Sequence, residues 1–184
     1  MKNFTKNLLI TGHPGVGKTT AVLKVTEELR KLGIHVGGFI SREIRESGVR
    51  TGFVVVDLST GEEAYLARVG KGLPRIGKYV VLVGELERVG VKAIIKALEI
   101  SDVIVIDEIG PMELYSPLFR KAVVKALNSS KPVIATIHFR AHEDSFGRMV
   151  LSRKDISVIS LTLHNRDEVP HLIVEHILMK LRCS

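Results

Sequence analysis

The hydrophobic positions of this chain change period as it runs, and each change predicts an element. Residues 5–11 carry the apolar run Leu8, Leu9, Ile10 and read as a buried strand. Over residues 18–32 the period lengthens. Val22, Val25, Leu29 and Leu32 recur at three- and four-residue steps and give one apolar face, the pattern of an amphipathic helix. Gly33 stops that helix, and residues 34–40 begin a second strand. Residues 39–44, 51–58 and 63–68 then alternate or run apolar and β-branched. Glu46-Ser47-Gly48 and Ser59-Thr60-Gly61 punctuate them, which predicts antiparallel hairpins. Residues 69–78 follow as a glycine-rich loop with Lys71, Pro74, Arg75 and Lys78 and no acid.

From there strands and helices alternate. A short strand is expected at 79–83, a helix at 91–98, and a strand at Val103, Ile104, Val105 and Ile106. A helix at 117–127, a strand at 132–137, a helix at 142–152 and a strand at 156–163 follow. The closing helix is expected over 168–181, with Asp167 as its N-cap, Pro170 in its first turn and Leu172, Ile173, Ile177, Leu178 and Leu181 as its apolar stripe. Strands that are apolar along their length, separated by helices, predict a mainly parallel central sheet covered on both faces. An antiparallel β-hairpin insertion near residues 38–68 interrupts that alternation. No repeat or second domain is visible, so residues 1–184 are expected to form a single α/β domain.

Composition sets bounds without changing this picture. At 184 residues, 45% hydrophobic and 26% charged, the chain suits one core of ordinary size. No apolar run approaches the roughly 18 residues that cross a bilayer, and the N-terminal run is too short for a signal peptide, so no membrane partner is expected. The single cysteine, Cys183, leaves no intrachain disulfide to form and agrees with a reducing, cytoplasmic setting. A monomer is the expected state. The net charge of +7 favours anionic partners, nucleoside triphosphates and nucleic acids alike. A basic bias of the solvated surface accounts for it more simply, and residues 68–78 offer few aromatic faces on which bases would stack.

The chemistry begins where the first strand ends. Gly12, His13, Pro14, Gly15, Val16, Gly17, Lys18 and Thr19, followed by Thr20, fit G-x-x-x-x-G-K-S/T, the phosphate-cradling loop. Glycines let the backbone turn sharply and aim N–H groups at phosphate oxygens. Lys18 is expected to reach the β- and γ-phosphates and Thr19 to ligate Mg²⁺, while the following helix points its positive N-terminus at the same anion. A bare glycine-rich strand-to-helix turn is the bland reading. The flanking apolar strand and amphipathic helix weigh against it.

Hydrolysis or transfer needs more than a cradle. Val103, Ile104, Val105 and Ile106 run into Asp107 and Glu108, two adjacent carboxylates at the C-terminal end of a buried strand, where ligands of parallel sheets sit. Asp107 is expected to hold Mg²⁺ opposite Thr19, and Glu108 to polarise a water for in-line attack on the γ-phosphorus. Asp107, Glu108, Ile109 and Gly110 also match the D-x-x-G of regulatory GTPases. That match is set aside because the guanine-reading N-K-x-D is missing. Thr136 or His138, ending the next strand, is placed to sense the γ-phosphate, with Arg140 nearby to offset transition-state charge. His138 and His142 have the i, i+4 spacing of helical metal ligands, but a strand over 133–138 argues against that use. Arg42, Arg50, Arg75 and Lys78 are candidates for a lid or an acceptor site, with solvated strand charges as the plainer reading. Arg166, beside Asn165 after the last strand, is a candidate to stack on a base.

Taken together, ITGHPGVGKTT, GGFISREIRESGVRTGFVVVDLSTGEE, RIGKYVV, VIVIDEIGPMEL and the late HNRD resemble the small P-loop nucleoside-triphosphatase family. That family includes archaeal and bacterial thermophile enzymes and the human cancer-related nucleoside triphosphatase. The resemblance covers nearly the whole chain. It implies a RecA-like P-loop fold and Mg²⁺-dependent hydrolysis of ATP, GTP and other nucleoside triphosphates to diphosphate and phosphate, with low base specificity. It also implies that residues 12–19 and 103–110 form the nucleotide site, and that Glu113 and Arg50 occupy recurring positions. The alternative is a small-molecule or polynucleotide kinase, since the same parts transfer phosphate to any hydroxyl that displaces water.

Overall fold

The computed structural model describes residues 4–182, so Cys183 lies outside the described part. Among the described residues nine strands form one sheet: β1 (Asn7–Thr11), β2 (Val36–Glu46), β3 (Val49–Asp57), β4 (Glu63–Val69), β5 (Arg75–Ile76), β6 (Tyr79–Val81), β7 (Val103–Ile109), β8 (Val133–Ile137) and β9 (Ile156–Ser160). Their order is β5-β6-β4-β3-β2-β7-β8-β1-β9. Pairings from β2 through β9 are parallel, and those from β2 outward to β5 are antiparallel. The sheet is therefore mixed, a parallel half continued by an antiparallel one.

Strand β2 belongs to both halves. Residues 36–39 pair with residues 103–106 of β7, and residues 39–46 pair with β3. The sequence pattern divides this segment in two, because its first half is buried on both faces and its second half is not. The insertion also runs further than residue 68. The basic loop holds β5, which folds back on β6 through a pairing of Ile76 with Tyr79. A two-residue strand has too few positions to show a period.

Helices α1 (Lys18–Lys31) and α6 (Val169–Arg182) cover one face of the parallel half, where Leu8, Ile10, Val103, Val105 and Ile134 meet Val22, Val25, Leu29, Ile173 and Ile177. The other face packs Leu9, Ile104, Ile106 and Ala135 against α3 (Lys92–Ile100) and α4 (Pro117–Asn128), through Ile94, Phe119 and Val123. Successive residues of β1 and β7 thus serve opposite layers, as a two-residue side-chain period requires.

Helical structure ahead of α3 starts earlier than the periodicity predicts. Short α2 (Val83–Glu85) leads into a π-helical turn, Leu86–Val91, whose Leu86 and Val89 are buried. The wider turn shifts the phase of the apolar face, which hides it from a search at fixed 3.6 spacing. Near residue 142 the expected helix divides into a 3₁₀ turn, Ala141–Glu143, and α5 (Ser145–Leu151). Asp144 makes the break by accepting hydrogen bonds from the amides of Phe146 and Gly147. Asp167, expected to cap α6, instead pairs with Lys24 at 3.2 Å. None of the helices among the described residues is long and apolar enough to cross a membrane.

The functional consequence lies in β7-β8-β1. These three strands are adjacent and parallel, so Thr11, Ile109 and Ile137 leave the sheet at one edge.

Candidate active site

Strand β1 delivers the glycine-rich loop to that edge, and two of its glycines have identifiable reasons. A Cβ at Gly12 would stand 2.7 Å from the carbonyl oxygen of Leu161, so the close approach of the chain after β9 requires its absence. Gly17, at φ 104°, begins α1 in the left-handed region that side chains disfavour. It caps the helix without a side-chain hydrogen bond, and the first turn carries no acid. The first-turn amides therefore face the edge with no side-chain cap in competition, the arrangement that receives an anion. Lys18 extends back over the loop, with Nζ 3.1 Å from the carbonyl oxygen of Gly12 and 3.6 Å from Glu108 Oε2.

Asp107 and Glu108 sit where the β7–β8 ladder breaks register. Ile106 pairs with Ala135, but the next pairing is Ile109 with Ile137, which puts one extra residue on β7. Such a bulge re-aims side chains at the end of a strand, and the peptide between the two acids is cis. Asp107 is only 1% exposed. It accepts hydrogen bonds from the hydroxyl of Thr136 and, at 3.4 Å, from the amide of Ser41, while the Ser41 hydroxyl donates to the Asp107 carbonyl at 2.7 Å. Burial raises its pKa, and hydrogen bonds from Thr136, Thr19 and Ser41, together with the Lys18 charge, act against that rise. Glu108 is also raised, chiefly by burial and further by Asp107, with Lys18 opposing.

Beneath Glu108 lies Glu113, in the 3₁₀ turn Glu113–Tyr115 and 5% exposed. Burial pushes its carboxyl well above the usual carboxylate range, and the charges of Glu108 and Asp107 push the same way. Gly110 stands between the two glutamates. A Cβ there would meet Glu108 Oε1 at 2.9 Å and Glu113 Oε2 at 3.1 Å.

The segment after β8 lies over the loop, with the ring of Phe139 5.3 Å from that of His13 and 4.7 Å from that of His138. Burial and the charges of Lys18 and Arg140 lower the pKa of His138, which favours its neutral imidazole. Thr136 is fully buried and committed to Asp107. His138 and His142 do not share a helix: β8 has ended, and His142 stands in the 3₁₀ turn beside Glu143. Exposed Arg140 pairs with Glu143 at 2.7 Å. Arg50 is held between Glu43 at 2.6 Å and the Tyr79 hydroxyl at 3.0 Å, and Arg75 folds onto the Gly77 carbonyl at 2.7 Å. Arg42 pairs with Glu63. Arg166 is exposed on the turn after β9, which Asn165 ties down by bonding the Ser160 carbonyl and the Thr162 amide.

Ser41 and Leu161 escape a reading of the sequence. Ser41 lies 66 residues from Asp107 and meets it only through the β2–β7 pairing. No spacing rule marks either residue.

The donor set suits a hard cation. Thr19 supplies a hydroxyl and Asp107 a buried carboxylate, both oxygen ligands of the kind Mg²⁺ takes. Among the described residues no group of three or more His, Cys, Asp or Glu is arranged to hold a metal. A cation here therefore needs further oxygens, such as those of a triphosphate.

Comparison with known proteins points one way. The sequence model of the family described as NTPase matches residues 7–174. A protein named nucleoside-triphosphatase THEP1 from Thermofilum pendens is 55% identical over 175 residues, spanning 94% of this chain and 95% of its own length. Its namesake from Methanocaldococcus jannaschii is 43% identical, over 95% of this chain and 99% of its own. Among solved structures, THEP1 from the hyperthermophile Aquifex aeolicus superposes with a TM-score of 0.81 at 30% identity, covering 93% of this chain and 98% of its own. A human cancer-related nucleoside triphosphatase gives the same TM-score at 35% identity, over 94% of this chain and 97% of its own.

Proposed function

The chain belongs to the NTPase family, and we propose that it hydrolyses nucleoside 5′-triphosphates to diphosphate and phosphate at the edge formed by β1, β7 and β8. One observation carries the assignment of roles. Lys18, the phosphate-reaching ammonium, stands 3.6 Å from Glu108, so charge recognition and a candidate base open onto one space. The backbone of residues 12–20 holds the phosphates, aided by the N-terminus of α1. Thr19 and Asp107 would hold Mg²⁺, which when bound supplies positive charge to the phosphate oxygens.

Glu108 accepts a proton from the attacking water as its oxygen bonds to the γ-phosphorus. The bond from that phosphorus to the β,γ-bridging oxygen breaks, and the electron pair leaves with the diphosphate, whose charge Lys18 offsets. A carboxyl raised by burial is better matched to that proton transfer near neutral pH than an exposed one. His138, whose pKa is lowered by burial and by Lys18, would serve the same phosphates as a neutral donor, and Arg166, exposed on the turn after β9, would stack on the base. That exposed contact reads no particular hydrogen-bonding edge, consistent with low discrimination between bases. The hydroxyl-acceptor alternative finds no support in the comparisons, whose named relatives are triphosphatases.

Glu108→Gln tests the reading. Nucleotide binding should persist while kcat falls by about a hundredfold or more. Hydrolysis at the wild-type rate would remove Glu108 from the mechanism.

A further inference from the structure

Glu113 has no task in the hydrolytic reading, yet the molecule buries it. A carboxyl that only filled space beside Ile109 and Leu114 would be replaced by an apolar side chain at little cost, because burial of an unpaired acid is unfavourable. Its position is tightly specified. The amide of Leu114 donates to the Gly110 carbonyl at 3.0 Å, and that of Ser116 donates to the Glu113 carbonyl at 3.0 Å, so the turn that carries Glu113 closes directly on Gly110. The Glu113 carboxyl in turn accepts from the Gly110 amide. Glu108 reaches the same glycine from the other side, with Oε1 and Cγ at 2.9 and 3.1 Å from where a Cβ would stand. Oε1 of Glu108 and Oε2 of Glu113 thus share one wall, which leaves Oε2 of Glu108 facing Lys18.

We propose that Glu113 is a positioning residue for hydrolysis. With Gly110 as the shared wall, its carboxyl fixes the side-chain orientation of Glu108 so that Oε2 is presented to Lys18 and the attacking water. The inference rests on Glu108 acting as the base. Three carboxyl groups crowd this corner with Lys18 beside them, and burial raises the pKa of each, with Glu113 held well above the usual carboxylate range. A protonated carboxyl both accepts, from the Gly110 amide, and donates, toward the oxygen of Glu108 that shares its wall. Gly110 is glycine here for space. It is not among the residues with positive φ, so an alanine meets no backbone penalty and acts by displacing Glu108 and Glu113.

The test is a double-variant cycle on kcat and KM, with the melting temperature of each variant as a control. Glu113→Leu should lower kcat by roughly 10- to 100-fold and leave KM within about twofold, since only the reacting geometry is lost. Glu113→Gln, which retains a donor and an acceptor, should stay within about threefold of wild type. Gly110→Ala should reproduce the Glu113→Leu split. In a Glu108→Gln background, Glu113→Leu should cost less than about twofold, because residues that act as a unit are not additive. Should Glu113→Leu fail to fold, Gly110→Ala against Glu108→Gln decides. A full loss persisting in the Glu108→Gln background overturns the positioning role, as does wild-type kcat in Gly110→Ala. If Glu108→Gln itself is fully active, the base reading falls and this inference falls with it. If Glu108→Gln is slow and the effects add, only the positioning role falls.

Discussion

The two halves of the sheet handle charge in opposite ways. In the antiparallel half β3 and β4 are only partly buried, and several of the exposed cations on or beside these strands are matched locally: Arg42 with Glu63, Arg45 and Arg50 with Glu43, and Arg88 of the π-helical turn with Glu62 and Glu85. Glu43 shows the result. Burial acts to raise its pKa, but hydrogen bonds from Arg50 and Arg45 more than reverse that and hold it below the ordinary value. In the parallel half the acids at the end of β7 outnumber the nearby cations, and Asp107, Glu108 and Glu113 are all raised. A charge imbalance that persists inside a packed structure marks the place where a ligand completes the balance. In the proposed reading that ligand is a cation with its phosphates, whereas the paired acids of the antiparallel half make no such demand.

The sharpest break of this comparison is removal of Lys18. Lys18→Ala takes away the cation that faces both the phosphate loop and Glu108. Turnover should fall by at least about a thousandfold in a phosphate-release assay, since transition-state charge and ground-state phosphate are both affected. Activity within tenfold of wild type would mean that the excess of acid at β7 is not what the site uses.

A smaller effect, on stability, tests the imbalance itself. The folded-state pKa of Glu113 is well above its ordinary value of 4.5, so between that value and the raised one the folded state binds more protons than the unfolded state. Stability of the wild type must then fall as pH rises through that window, and be fully retained below it. Glu113→Gln removes this titration. The variant should melt higher than wild type at pH 8, and the gap should close as pH approaches 4.5. Each kcal/mol corresponds to roughly 2–4 °C for a domain of this size. A gap that does not change between pH 5 and pH 8 would show that Glu113 titrates normally.

How legible the two halves are in the sequence follows from the same difference. Strands β1, β7 and β8 are apolar on both faces and short, so their runs stand out, and Gly12, Gly17, Lys18, Thr19, Asp107 and Glu108 occupy fixed offsets from them. Strand β2 is less legible because it changes partners and burial midway, and β5 because two residues carry no period. The π-helical turn Leu86–Val91 conceals a helix by shifting its phase. Within the site, what stays hidden is the set of contacts made across the sheet, Ser41 with Asp107 and Leu161 over Gly12. Strand register alone brings these residues together. Glu113 is visible as part of a recurring segment, but its burial under Glu108 depends on how the turn after Gly110 folds back.

The smallest expected effect bears on whether the antiparallel half reaches the chemistry at all. Tyr79 is 7% exposed, packs its ring 5.2 Å from Phe53, and offers its hydroxyl to Arg50. Tyr79→Phe keeps the ring and removes the hydroxyl that accepts from Arg50 Nε and donates, at 3.4 Å, to the Arg50 carbonyl. It should cost about 0.5–1.5 kcal/mol, a lowering of the melting point by a few degrees, because Arg50 keeps Glu43 and the two aromatic faces as partners. The informative measurement is kcat. If Arg50 serves only its own half, loosening it leaves kcat within twofold of wild type. A larger change, in either direction, would mean that the guanidinium released from Tyr79 engages the triphosphate. The locally matched half would then be part of the active site, and the division between the two halves of the sheet would no longer hold.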